Sequence, residues 1–216
     1  MNIDPAASRL AADGVAYAPQ IATAARRHGL DPELLAAVAA QETGGPNANA
    51  GRNIVGDGGH GRGVFQIDDR WHAFATSPAA MDPGQNADYA AGMISGLLKE
   101  YGGNVHEALS AYNSGSPTAT GTKTRWADGE DLGYADSVLR HYQRLTGGSP
   151  SAAPSAPPAE PDAAATQLAM QAQRLPLLPT IAPAISAGAP HFAPSFHRSA
   201  TDYLGLLNDD TDEITS

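Results

Sequence analysis

The stretch from Asp31 to Glu42 constrains this chain more than any other. Asp31-Pro32-Glu33 supplies an N-cap, a proline at the first helical position and an acid in the first turn. Leu34-Leu35-Ala36-Ala37-Val38-Ala39-Ala40-Gln41-Glu42 then runs through strong helix formers, and Thr43-Gly44-Gly45-Pro46 ends the run. Glu42 stands at i+4 from Val38 and i+8 from Leu34, so it continues an apolar stripe. Either this helix end is capped and solvated, or an acid is held in an apolar wall. In the second case desolvation and the negative end of the helix dipole both raise its pKa. A carboxyl kept protonated near neutral pH is what a general acid for glycosidic cleavage needs.

The rest of the front of the chain is also helical in pattern. Tyr17 to His28 places Ile21, Ala24 and Ala25 on one face, with Gly29 as a stop. Asp88 to Tyr101 carries Tyr89, Met93, Ile94, Leu97, Leu98 and Tyr101 as its stripe. Asn104 to Tyr112 reads as a helix. So does Tyr134 to Leu145, with Tyr134, Val138, Leu139, Tyr142 and Leu145 on its buried side. Asn47 to Gly63 reads as loop, and Val64-Phe65-Gln66-Ile67-Asp68 as a short strand or a single turn. Several helices and little strand predict an all-α, α-dominated compact domain.

Composition sets the boundary of that domain. Of the 17 prolines, seven precede Gly147 and ten follow it, and Gly147 to Pro158 is a Pro/Ala/Ser-rich linker. The expected organisation is a catalytic domain over 1–146, a linker over 147–162 and a low-complexity tail over 163–216. Within that tail Ala163 to Leu175 can form one short helix; the remainder reads either as a disordered tail or as a docking segment that orders on a partner, with Phe192, Phe196, Tyr203, Leu204, Leu206 and Leu207 as its anchors.

The formal net charge is -10, and 11 basic against 16 acidic residues lie before Gly147. An acidic chain without a basic stripe is not built to bind nucleic acid or an anionic membrane. Recognition of a polymer must then come from a shaped groove. There is no cysteine, which excludes disulfides and thiolate metal sites. Met1 to Leu10 has no signal-peptide core, and no apolar run has membrane-spanning length, so the chain is expected to be made without a leader.

Two further blocks bear on chemistry. Gly56-Asp57-Gly58-Gly59-His60-Gly61-Arg62-Gly63 is a Gly-rich loop in which the backbone turns tightly or approaches a ligand. It leads into Val64-Phe65-Gln66-Ile67-Asp68. Alone, Asp57 is an ordinary turn residue and Asp68 a cap; together with Glu42 they offer carboxylates on two sides of a groove. Ala108-Leu109-Ser110-Ala111-Tyr112-Asn113-Ser114-Gly115 puts an aromatic ring and an amide at a helix end, suited to stacking on a sugar and bonding its acetamido group. His60, His72, His106 and His141 are scattered without paired helical spacing, so no metal is expected. His60, in the loop, remains a further residue for ligand contact, and Trp71 and Trp126 read as core or groove wall.

A helix ending in Glu, a Gly-rich loop leading into Gly-Val-Phe-Gln-Ile-Asp, then Ala-Tyr-Asn-Ser-Gly resembles the goose-type lysozymes and the related soluble lytic transglycosylases. The likeness spans about Pro19 to Leu145. Asp57 and Asp68, with Arg70 and His72 after them and Tyr134-Ala135 in the last helix, look goose-type, because transglycosylases generally lack an acidic partner for their glutamate. The resemblance implies Glu42 as general acid and Asp57 and Asp68 as the residues that hold or activate water. Gln66, His72, Tyr112, Asn113 and Tyr134 would line the sugar groove, and no cofactor is implied. Thr43 stands where the family usually has Ser, and the stretch from Glu42 to Asp57 is slightly longer than usual.

The implied activity is hydrolysis of the β-1,4 bond between N-acetylmuramic acid and N-acetylglucosamine in peptidoglycan glycan strands. Two alternatives stand beside it. One is a lytic transglycosylase that uses Glu42 alone and leaves 1,6-anhydro ends. The other is a wall-binding component of a virion or secretion apparatus with little turnover. A wall-degrading chain without leader or cysteine suits a bacteriophage lysin, with the tail docked on a virion or secretion-apparatus protein.

Overall fold

Four helices begin with the same device, a side-chain oxygen accepting from a backbone amide of the first turn. In α1 (Pro5–Ala12) Asp4 accepts from the Ala6 N–H at 3.1 Å, and in α3 (Pro32–Thr43) Asp31 accepts from Glu33 at 2.9 Å. In α4 (Pro83–Glu100) Asp82 accepts from Gln85 at 2.8 Å, and in α5 (Val105–Ser114) Asn104 accepts from Glu107 at 3.3 Å. Three of these caps precede a proline at the first helical position, where its missing N–H costs nothing. The remaining helices are α2 (Ala18–Arg27) and α6 (Tyr134–Thr146). These observations come from a computed structural model that describes residues 4–147. The linker, the short helix and the docking tail expected after Gly147 lie outside the described residues.

α3 is the axis of the fold. Every residue from Leu34 to Thr43 is buried, and its alanines at 36, 37, 39 and 40 let neighbours approach closely. It packs most extensively on α6 and also on α2 and α1. The outer helices follow one another around it, α1 on α2, α2 on α4, α4 on α5 and α5 on α6. The architecture is α-dominated, as expected. No helix among the described residues is long and apolar enough to cross a membrane.

Two small sheets depart from the expected loops. β1 (Ile54–Gly56), β2 (Gly61–Gly63) and β3 (Ile67–Asp68) form an antiparallel sheet in that order. Its register aligns Gly56 with Gly61, and Gly61 with Asp68. A Cβ at Gly56 would collide with Oε1 of Gln66, and one at Gly61 would come within 2.5 Å of it. Glycine is therefore required where the Gln66 side chain lies under the sheet. Asn86, buried on α4, holds the β2–β3 turn by accepting from the Phe65 N–H at 2.8 Å and donating to the Arg62 carbonyl at 3.0 Å. The second sheet is a hairpin of β4 (Thr124–Arg125) and β5 (Asp131–Leu132) before α6.

Candidate active site

Glu42 lies in the last turn of α3 and is fully buried. Tyr134, the first residue of α6, donates its hydroxyl to one carboxyl oxygen, Oε1, at 2.6 Å. The other oxygen, Oε2, is buried without a hydrogen-bond partner among the described residues. Desolvation pushes the pKa from 4.5 up to about 8, against the opposing pull of the Tyr134 hydroxyl. At neutral pH this carboxyl holds its proton and has an oxygen uncommitted to the protein. That is the state of a general acid waiting for a leaving-group oxygen.

The surroundings of Glu42 are fastened from several sides. Thr43 donates to the Val64 carbonyl at 3.0 Å and accepts from the Arg52 N–H at 2.7 Å, which ties the helix end to the chain entering the first sheet and to its β2–β3 turn. Gln41 donates to Thr124 Oγ1 at 2.8 Å and accepts from Ser137 Oγ at 2.5 Å. Ser137 in turn accepts from Trp126 Nε1 at 3.0 Å. The helix end is thus bound to the β4–β5 hairpin and to α6. Tyr112 and Tyr134, both fully buried with rings 6.3 Å apart, complete the cage. Burial, and then the nearby Glu42 charge, raises both phenol pKa values well above normal, so both stay neutral donors.

Asp57 and Asp68 meet through Arg70. Asp68 is buried; its Oδ1 accepts from Arg70 N at 2.8 Å and Nε at 2.9 Å, and its Oδ2 from Nε at 3.0 Å and Nη2 at 2.5 Å. The same Nη2 also donates to Asp57 Oδ2. Asp68 first, and then Asp57, holds the guanidinium more firmly in its charged form. Asp57 has φ +47°, in the left-handed region that Asp tolerates better than most residues.

A line of interactions connects this ion cluster with the acid. Burial lowers the His72 pKa, and the Asp68 charge opposes that shift. His72 Nδ1 and the Tyr89 hydroxyl share a hydrogen bond of 3.1 Å, and Tyr89 stacks on Phe74 with ring centres 4.3 Å apart. Tyr89 and Glu42 both act electrostatically on Tyr112. Two other expected groove residues are engaged differently. Gln66 donates to the carbonyls of Gly63 at 2.7 Å and Ile54 at 3.1 Å. Asn113 accepts from the Thr122 N–H at 2.9 Å. Both amides are engaged by backbone groups. Sequence reasoning missed Tyr89, Asn86 and the bridging role of Arg70; an Arg two residues after Asp68 was the available signal.

His60, Asp68 and Asp69 bring potential ligand atoms within 4.8 Å of one another, but these lone pairs are taken. Asp69 Oδ1 pairs with His60 Nδ1 at 2.7 Å and Oδ2 with Arg62 at 3.0 Å, while Arg70 occupies Asp68. Two guanidinium groups beside the cluster make it a poor cation site.

The family model of the transglycosylase SLT domain matches residues 19–130. The chain belongs to that family. Its polymer is therefore peptidoglycan, and its chemistry is of the lytic transglycosylase and lysozyme-like kind. No solved structure matches the chain. The matched segment contains Glu42, the Asp57–Arg70–Asp68 cluster and Tyr112, and stops short of Tyr134.

Proposed function

We propose that this SLT-domain protein is a muramidase of goose-type lysozyme character, hydrolysing the β-1,4 bond between N-acetylmuramic acid and N-acetylglucosamine. The buried Glu42 carboxyl, with a pKa of about 8 and one oxygen without a partner among the described residues, supports acid catalysis. The observation that favours water as the nucleophile is the Asp57/Asp68 pair joined through Arg70. In this reading protonated Glu42 gives its proton to the glycosidic oxygen as the C–O bond breaks. Water held on the Asp57/Asp68 side attacks the anomeric carbon and loses its proton to a carboxylate there. Such inverting pairs stand roughly 6.5 to 9.5 Å apart, leaving room for the water. His72, Tyr112 and Tyr134 line the sugar groove, and Gln66 and Asn113 hold its walls.

One observation favours a second reading, a lytic transglycosylase in which the muramic acid 6-hydroxyl replaces water. Arg70 engages both oxygens of Asp68, so that carboxylate is poorly placed to activate water. Product analysis of purified peptidoglycan digested in 18O-water separates the two. Reducing ends that carry one 18O support the muramidase; 1,6-anhydro ends as the main product overturn it. A further part of the proposal concerns residues 147–216, read as a tether to a virion or secretion assembly. Deleting them is expected to abolish incorporation into that assembly.

A further inference from the structure

Within the muramidase reading, and resting on it, we infer that Asp57 alone is the base, and that Arg70, anchored on Asp68, is the residue that positions it. The two carboxylates differ in what they have left to offer. A carboxylate has about four acceptor positions. Asp68, at 1% exposure, meets Arg70 with four contacts, from the backbone N–H, Nε twice and Nη2. It has no room to orient a water and take its proton. Asp57 touches Arg70 through Oδ2 only, and its Oδ1 accepts no hydrogen bond among the described residues. Its side chain is also the more exposed of the two, at 16% against 1%.

The sheet explains why the clamp has this form. The register sets Gly56, Gly61 and Asp68 in one row, so Asp57, directly after Gly56, begins its turn beside the end of β3. There the left-handed backbone of Asp57 is an unfavourable conformation for a residue with a side chain. The contact with Arg70 holds the carboxylate in place. Asp68 binds Arg70 at the backbone and at the guanidinium, which leaves the outer face of Nη2 to direct Asp57. The remaining charged groups nearby, His60, Arg62 and Asp69, pair among themselves, and His72 bonds to Tyr89. Arg70 is therefore the cation that decides where the Asp57 carboxylate points.

Chemical rescue tests the division of labour in the full-length protein. Azide is small enough to enter the space left by a removed carboxylate, and it needs no base to attack. As Glu42 protonates the leaving oxygen and the glycosidic C–O bond breaks, azide forms a C–N bond at the anomeric carbon, giving a glycosyl azide. Asp57→Ala is expected to lose roughly 10²- to 10⁴-fold in kcat, the usual contribution of a general base. Azide is expected to restore part of that loss, with glycosyl azide found by mass spectrometry. Asp68→Ala is expected to lose activity without azide rescue. If Asp68→Ala does not fold, the double variant Asp68→Asn/Arg70→Gln removes both charges of the buried pair and takes its place, with the same expectation. Arg70→Lys is expected to recover part of the kcat lost in Arg70→Gln.

Azide rescue of Asp68→Ala, or of the double variant, overturns the assignment. So does failure of azide to rescue Asp57→Ala when the wild type makes 18O-labelled reducing ends. Anhydro ends from the wild type are a different failure, since they overturn the muramidase reading itself.

Discussion

Glu42 has a titration that reports on its surroundings in two independent ways. Its pKa in the folded protein, about 8, lies above the ordinary 4.5, so the folded state keeps a proton that the unfolded chain has released. The contribution of Glu42 to stability is therefore full below about pH 4.5 and is lost as pH rises toward 8. Glu42→Gln removes this dependence. The variant should gain on the wild type by a few kcal/mol, to order of magnitude, between pH 5 and pH 8, because each tenfold change in proton affinity is worth about 1.4 kcal/mol. Urea denaturation at the two pH values measures the gain, and the same variant should lose muralytic activity by about 10²- to 10⁴-fold. Tyr134 makes the opposite contribution. Its hydroxyl stabilises the carboxylate and so lowers the Glu42 pKa. Tyr134→Phe should therefore move the alkaline limb of the kcat/KM profile to higher pH. An alkaline limb that stays in place or moves down contradicts this account of the pair.

At the scale of the elements, the site depends on how α3, α6 and the β4–β5 hairpin are joined. The Gln41–Ser137–Trp126 chain is buried, and Ser137 is its centre, donating to one partner and accepting from the other. Ser137→Ala leaves the Gln41 carbonyl oxygen and the Trp126 indole N–H short of a partner. An unsatisfied buried group costs about 1–3 kcal/mol, so a loss of that order is expected in thermal or urea unfolding. Arg140 closes the same hairpin from outside, pairing with Asp128 at 2.9 Å and with Glu130, and lying 5.0 Å over the Trp126 ring. Because these contacts are exposed, Arg140→Ala should cost much less than Ser137→Ala. The first sheet is an element whose sequence conceals it. Three strands of two or three residues, rich in glycine, have no alternation to read; they are held by Asn86 from α4 and by Gln66 from the β2–β3 turn itself.

At the scale of the whole molecule, charge is the property that matters most for a polymer substrate. The net charge of -10 opposes an anionic wall at long range. Repulsion is screened as salt rises, the screening length being about 30 Å at 0.01 M and about 10 Å at 0.1 M. The KM on intact wall should thus fall between these two conditions, while kcat on a short neutral oligosaccharide stays level. A KM that rises with salt would mean that a cationic surface, rather than the shaped groove, holds the wall. The domain proposal belongs to this scale too. The described helices and sheets and every candidate site residue lie before Gly147, so a chain ending there should keep its muralytic activity on purified wall. Loss of activity in that truncation would count against the boundary.

Local chemistry in the sequence was enough for α2, α3, α5, α6 and most of α4, and for the position of Glu42 at a helix end, but not for α1. Caps, prolines and apolar spacing act within one or two turns, so they can be read without the fold. The same Asp-Pro signal that starts α3 also starts α1 and α4, where only the structure drew it out. Whether Glu42 was a solvated helix end or a buried acid could not be read that way. Its desolvation comes from burial in the folded core, and its hydrogen bond from Tyr134, a residue 92 positions away. The backbone partners of Asn113 and Gln66, and the unequal claims of Asp57 and Asp68 on Arg70, are likewise set by which surfaces meet. A pKa and a free lone pair are properties of surroundings, and distant parts of the chain supply those surroundings only once it has folded.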